Sequence, residues 1–231
     1  MAEQAVGVRA RNRAKVQAEL LAAAREELAK VGAASLSVRA VARRMDMAPS
    51  ALFRYISGRD ELLTLLIVEA YSELADEVEP QEAAVDRGDL RGRWRALAHG
   101  MRGWARQHPH EWALLYGSPV PEYDAPGDVT NQPGTRLTSV LLRIGADAVV
   151  AGDTPSALGD GAAAEAERAV ANFVLESGLP AVTATHGILA WTSLIGAISA
   201  EVFEHLGTDL GDADAMFAYV VRATERLLFG S

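Results

Sequence analysis

Between Ser37 and Arg59 the chain reads SVRAVARRMDMAPSALFRYISGR, a stretch that leaves few folds open. Val38, Val41, Ala42 and Met45 recur at spacings of three and four, the period of one apolar helix face, while Arg39, Arg43 and Arg44 fall on the solvent side. Ser37 is placed to cap that helix. Asp46 is among the few residue types that tolerate the left-handed backbone of a sharp turn. Pro49 then suits the first turn of a second helix, where its missing N–H has no intrahelical partner. Leu52 and Ile56 bury that helix, and Ala48, Pro49, Ser50, Ala51, Phe53 and Tyr55 are small, polar or aromatic. Such a surface can enter a major groove about 12 Å wide. The stretch predicts a helix-turn-helix followed at once by a longer helix.

The charge distribution agrees. The 231 residues carry a net charge of −9, whose sum argues against a nucleic-acid partner. The first sixty residues, however, hold 11 of the 22 Lys and Arg and 6 of the 31 Asp and Glu, net +5, leaving 11 and 25, net −14, for the remainder. A basic head on an acidic body suits a protein that presents one end to phosphates. With 49% hydrophobic and 23% charged residues the chain is neither fibrous nor disordered. Cysteine is absent, which excludes a disulfide framework, a thiolate zinc site and thiol redox sensing. No apolar run reaches the roughly 18 residues of a membrane span, and the first fifteen residues lack the apolar core of a secretion signal. The expected location is the cytoplasm, without a membrane partner.

Helical periodicity accounts for the rest, and no strand pattern or internal repeat interrupts it. The tail through Arg13 carries Arg9, Arg11 and Arg13 without an apolar face, and is expected to be disordered and solvated. A helix over 14–31 presents Val16, Leu20, Ala24, Leu28 and Val31 and closes at Gly32. The helix from Arg59 to Glu79 buries Leu62, Leu63, Leu66, Ile67, Ala70 and Leu74, and a linker to Asp89 follows Pro80. Helices are predicted over 90–107, with Trp94, Leu97, Ala98, Met101, Trp104 and Ala105 on one face, and over 109–116. The stretch 117–134, with four prolines and three glycines, reads as a functional loop at a pocket entrance. Further helices cover 135–150, 162–177, 181–205 and 212–229, with a second loop at 151–161. Gly196, Ala197 and Ala200 permit close helix approach in the last pair. The fold class is all-α.

From Ala14 to Glu79 the chain resembles the DNA-binding domain of the TetR family of bacterial transcriptional repressors. The resemblance is carried by the opening helix ending at Gly32, the entry Ser35 to Val38, the core Val41 to Ile56, and the start of a fourth helix at Arg59 to Leu62. Two positions depart from the family's pattern: Asp46 stands where glycine is usual, and Phe53 where a tyrosine usually reaches a phosphate. Residues 186–207 with 112–123 are similar to the WHG-type subgroup of the family's C-terminal domains. The resemblance implies a DNA-binding domain over 1–79 and a helical ligand-binding and dimerisation domain over 80–231, with the last two helices pairing against their copies.

Carried over residue by residue, the DNA contacts fall on Ser37, Arg39, Ala48, Pro49, Ser50, Ala51, Phe53, Arg54, Tyr55 and Arg59. Ser50 can hydrogen-bond a base edge and Phe53 or Pro49 can touch a thymine methyl, while Ser37, Tyr55 and Arg59 suit phosphates. The ligand pocket that the resemblance implies draws on Trp94, His99, Met101, Trp104, Trp112, Tyr116, Tyr123, Phe173, His186 and Trp191. These would suit a small apolar or aromatic effector, although each aromatic taken singly is better read as ordinary core. Glu201 and His205, one turn apart, have no third ligand near in sequence, so no metal is expected; no cofactor is expected either. No phosphate-binding loop, nucleophile elbow or H-E-x-x-H pattern occurs, so the chain is not expected to be an enzyme. The expected function is a ligand-released repressor binding an inverted-repeat operator in double-stranded DNA as a homodimer. The alternative is a helical small-molecule binding or interaction protein, or an enzyme, with a degenerate DNA-binding head.

Overall fold

The computed structural model describes residues 2–155, 159, 161–207 and 211–230. Among these residues there are α1 (Ala2–Val31), α2 (Val38–Arg44), α3 (Pro49–Leu52), α4 (Arg59–Ala83), α5 (Leu90–Gln107) and α6 (Pro109–Tyr116). They are followed by α7 (Gly127–Gly134), α8 (Arg136–Ala151), α9 (Ala162–Ala169), α10 (Ala171–Ser177), α11 (Ala181–Val202) and α12 (Ala213–Phe229), and no strand occurs among the described residues. The helices form two compact units, Met1–Tyr71 with His110–Gln132, and Ser72–Pro109 with Pro133–Ser231.

In the first unit Leu20, Ala24 and Leu28 of α1, Val38, Val41 and Ala42 of α2, Leu52 of α3, Ile56, and Leu62, Leu63 and Leu66 of α4 make one buried core. Gly32 closes α1 in the left-handed region at φ 71, and Asp46 makes the sharp turn after α2 at φ 52. Arg44 braces α2 against α1 through Glu27 and Glu26, both at 2.8 Å. Leu114, Val120 and Tyr123 pack on the same core, and the hydroxyls of Tyr123 and Thr64 share a hydrogen bond of 2.9 Å. Residues 110–132, read from sequence as part of the body, therefore complete the unit that holds the helix-turn-helix, and residue 79 lies within α4.

The second unit is organised by α5, whose Trp94, Leu97, Ala98, Met101, Trp104 and Ala105 are buried. Opposite it lie Leu137, Val140 and Ile144 of α8, Ala190, Leu194 and Ile198 of α11, and Phe217 and Val221 of α12. The arginines of α5 engage acids of the other helices. Arg93 pairs with Glu82 and, at 2.7 Å, with Asp147. Arg95 forks onto both Glu225 oxygens at 2.7 Å, and Arg102 onto Glu201 at 2.7 and 2.8 Å. Much of the body's acidity is thus neutralised within its own fold.

Several elements differ from the sequence reading. The tail expected to be disordered is the start of α1, because residues 2–13 are mostly good helix formers with no proline. Helix α4 continues through Pro80 into the expected linker: the ring removes one N–H donor, but Val78 and Glu82 are buried and the Ala84 N–H bonds the Pro80 carbonyl at 3.1 Å. Within the expected loop 117–134, α7 begins after Pro126, whose carbonyl accepts from the Thr130 hydroxyl at 3.0 Å. The single helix expected over 162–177 breaks at Val170, φ −120 and ψ 19, where the side chain buries against Leu179 and Ala184. The loop expected at 151–161 lies partly outside the described residues. Helix α11 is, by length and composition, apolar enough to cross a membrane, contrary to the sequence reading; here its Ala190, Leu194 and Ile198 are buried in a helical core.

Candidate nucleic-acid interface and ligand cavity

The turn and the two short helices sort the sequence-derived DNA residues by direction. Leu52 and Ile56 are drawn into the core, which leaves Ala48, Pro49, Ser50, Phe53 and Arg54 exposed on one ridge, with Arg39 exposed on α2. Phe53 is 52% exposed, an isolated phenyl held out into solvent at the end of α3. Ser37, Ala51 and Tyr55 are half-buried, and Tyr55 packs on the core. The Ser37 side chain makes no cap hydrogen bond to α2, so its hydroxyl remains available outside the helix. Among the described residues Arg39, Arg43 and Arg54 make no ion pair, unlike Arg44. Arg43 belongs with the free cations, which only the pairing of its neighbour reveals. The side chain of Arg9 lies outside the described residues.

Arg59 stands apart from the other nine. Its Nη2 donates to the carbonyls of Ala33 and Ala34 at 3.1 and 3.0 Å, and its Nε to that of Leu36 at 3.3 Å. The guanidinium therefore satisfies the carbonyls of the segment joining α1 to α2. The start of α4 is held by Glu61, which accepts from the Ser57 N–H at 2.6 Å; the hydrogen bonds from Ser57 hold its carboxyl below the ordinary value.

In the second unit a cavity of about 290 Å³ lies among α8, α10, α11 and the end of α12. Leu141, Ile144 and Gly145 form one wall, Thr183, Gly187, Ile188 and Trp191 another, and Phe173, Leu179, Leu228 and Phe229 line the remainder. Of the ten ligand residues expected from sequence, the structure brings Phe173 and Trp191 to this cavity. Trp94 is buried in the core, where its indole N–H donates to the Thr224 hydroxyl at 3.2 Å. Met101 is buried beside it on α5, and Trp104 stacks on His108 with ring centres 4.8 Å apart. His99 sits edge-on to Phe217 at 5.4 Å, and burial followed by the charges of Arg102 and Arg95 lowers its pKa. His186 is buried, and desolvation pushes it down against a raising hydrogen bond to the Leu227 backbone. Trp112, Tyr116 and Tyr123 lie in the first unit instead. There Tyr116 packs between Trp112 and Tyr71, at 4.4 and 6.2 Å, and burial pushes its phenol pKa up.

Sequence reasoning passed over the small residues of the cavity, Gly145, Gly187 and Thr183. The signal was glycine inside a helix: a Cβ built on Gly187 meets nothing within 4 Å. Of the two residues weighed as metal ligands, Glu201 is taken by Arg102 and His205 packs on Phe203 with ring centres 5.4 Å apart. Among the described residues no group of three potential metal-ligating side chains comes together.

Comparison with known proteins agrees with both units. Residues 20–66 match the model of bacterial regulatory proteins of the tetR family, and residues 94–224 match that of the tetracyclin repressor-like C-terminal domain. The HTH-type transcriptional regulators Rv1816 of Mycobacterium tuberculosis and Mb1846 of Mycobacterium bovis are each 39% identical over 208 residues, covering 89% of this chain and 88% of theirs. Among solved structures, the protein SCO4313 superposes with a TM-score of 0.76 at 29% identity, covering 93% of this chain and 97% of that one. The regulator FadR from Bacillus subtilis, solved with stearoyl-CoA, shares the fold with a TM-score of 0.61 at 14% identity, covering 93% and 99%. The chain therefore belongs to the TetR family, whose members are DNA-binding transcriptional regulators and not enzymes.

Proposed function

We propose that the chain is a cytoplasmic, ligand-responsive repressor that binds an inverted-repeat operator as a homodimer and is released by a small apolar or aromatic effector. The observation that carries this reading is the exposed ridge of Ala48, Pro49, Ser50, Phe53 and Arg54, backed by a buried core and flanked by Arg39 and Arg43, which make no ion pair among the described residues. Small and aromatic side chains on such a ridge can enter a major groove while the arginines meet phosphates. For the dimer, the support is the outer face of the last two helices. Leu189, Met216 and Tyr219 are exposed there, and Gly196 on the same face leaves room for a second helix to approach. Two copies joined through α11 and α12 would place their recognition helices in successive major grooves about 34 Å apart. For the effector, the support is the cavity, together with a fold that in FadR accommodates stearoyl-CoA.

Release is a population shift: the effector favours a dimer whose heads are spaced wrongly for DNA. Moving occupancy from 99:1 to 1:99 needs a preference of about 5.5 kcal/mol for that state. The rival reading, a degenerate head, draws on Asp46 and Phe53. Asp46 makes the turn at φ 52 and Phe53 projects from the ridge, so neither spoils the motif. The test is selection of bound fragments from sheared genomic DNA, followed by titration of the winner at several salt concentrations, with sedimentation giving the oligomeric state. An inverted repeat bound by a dimer with a steep salt dependence is the expected result. Weak binding that is blind to sequence would refute the regulatory reading.

A further inference from the structure

We propose that the cavity among α8, α10, α11 and the end of α12 binds an uncharged, hydrocarbon-rich molecule of about ten to fifteen non-hydrogen atoms, and that it rejects carboxylates and ammonium ions of the same size. The effect on DNA rests on the regulatory reading above; the ligand class does not. None of the sixteen described residues that line the cavity is Asp, Glu, Lys, Arg or His. The polar side-chain groups at its wall are four hydroxyls and the Trp191 indole N–H. Thr138 and Ser139 donate to the carbonyl of Thr135 at 2.9 and 2.8 Å, and Thr135 has a partner of its own. Thr183 is buried, 6% exposed, and its hydroxyl has no partner among the described residues. It can exchange one hydrogen bond with a ligand oxygen. An ionised group brought here would lose its water and gain no counter-charge, whereas a neutral hydroxyl needs only one partner.

Size follows from volume. The space of about 290 Å³ is on the order of ten water volumes at about 30 Å³ each. Two helical glycines create it. A Cβ on Gly145 would rest at ordinary contact distance from Leu179 and Thr183, at 3.5 and 3.7 Å, while one on Gly187 meets nothing. Neither glycine has a positive φ, so a side chain at 187 fills the cavity without backbone strain.

The probes are 1-decanol and naphthalene as neutral molecules, and decanoate and decylammonium as charged counterparts of decanol, each below its aggregation limit. Binding to the full-length protein is measured without DNA by calorimetry and by fluorescence. Trp191 is the one tryptophan among the described lining residues and reports occupancy; a Trp191→Phe variant identifies its signal. At least one neutral probe should bind, about 100-fold or more tighter than either charged decyl compound. Gly187→Leu should keep the wild-type far-ultraviolet spectrum and melting while losing that binding at least tenfold. Gly187→Ala, a smaller filling, should lose less. The proposal is overturned if neither neutral probe binds, if decanoate or decylammonium matches decanol, or if a folded Gly187→Leu protein binds as wild type. Operator release is scored separately. A neutral probe that binds at the cavity and leaves operator affinity unchanged upholds the ligand class and defeats the regulatory reading alone.

Discussion

Replacing Arg59 separates two roles that its position in the sequence confounds. The side chain donates three hydrogen bonds to the carbonyls of Ala33, Ala34 and Leu36, at 3.0 to 3.3 Å, and is 30% exposed. Hydrogen bonds from charged groups contribute about 1.5–3 kcal/mol each when well made and buried. Partial exposure and the long Nε contact reduce that, so Arg59→Ala should destabilise the first unit by about 2–3 kcal/mol in all. That is a large share of the 5–15 kcal/mol typical of a domain. Arg59→Lys should recover little, because an ammonium cannot fork onto carbonyls presented by three residues. The assays are urea unfolding followed by circular dichroism, and operator affinity against salt at a temperature where each variant is folded. A phosphate contact contributes about 0.9 to the slope of log affinity against log salt. The carbonyl cradle predicts a lower unfolding midpoint and an unchanged slope. A wild-type midpoint with a slope lower by about one, restored by Arg59→Lys, would refute it and return Arg59 to the DNA.

Other perturbations test other parts. Replacing thymines of the operator singly by deoxyuridine removes only the methyl group; where Phe53 meets one, affinity should fall about three- to fivefold, from the roughly 0.8 kcal/mol of a buried methyl-sized group. The loss should vanish in Phe53→Ala, and uniformly silent substitutions would exclude Phe53 as a thymine reader. Arg93 is 6% exposed between Glu82 and Asp147, so Arg93→Met should cost the second unit about 3–5 kcal/mol in chemical denaturation. Adding Glu82→Leu should recover much of it, since Asp147 keeps Arg87 at 2.8 Å; a double variant as unstable as the single one would contradict this. Burial lowers His186 in the folded state, so the unfolded chain binds its proton first as pH falls. Stability from this residue is complete above about pH 6.5, the unfolded value, and is lost as pH falls through that value toward the folded one. His186→Leu should flatten the decline of melting temperature between about pH 7 and 5.5, and an unchanged pH profile would show that another group controls it.

What could be read from the sequence was whatever repeats over one or two helical turns. The apolar faces of α2, α4, α5 and α8 were legible because residues three and four apart share a side, and Asp46 was legible because few residue types accept φ 52. Partners far along the chain left no such mark. Arg59 meets carbonyls 23 to 26 residues earlier, and Thr64 meets Tyr123 across 59 residues, so neither contact shows in the spacing of the sequence. The tryptophans of α5 are ambiguous for a related reason: burial and pocket lining demand the same residue types, and the packing of α5 leaves Trp94 and Trp104 buried in the core while Trp191 reaches the cavity. A cavity is marked instead by what is missing. Gly145 and Gly187 sit in the middle of α8 and α11, where each costs the helix about 0.8–1 kcal/mol relative to alanine. An alanine at either position would meet no atom closer than ordinary contact. Packing therefore does not require these glycines, and the room they leave beside Thr183 and Trp191 is the consequence that a bound ligand would use.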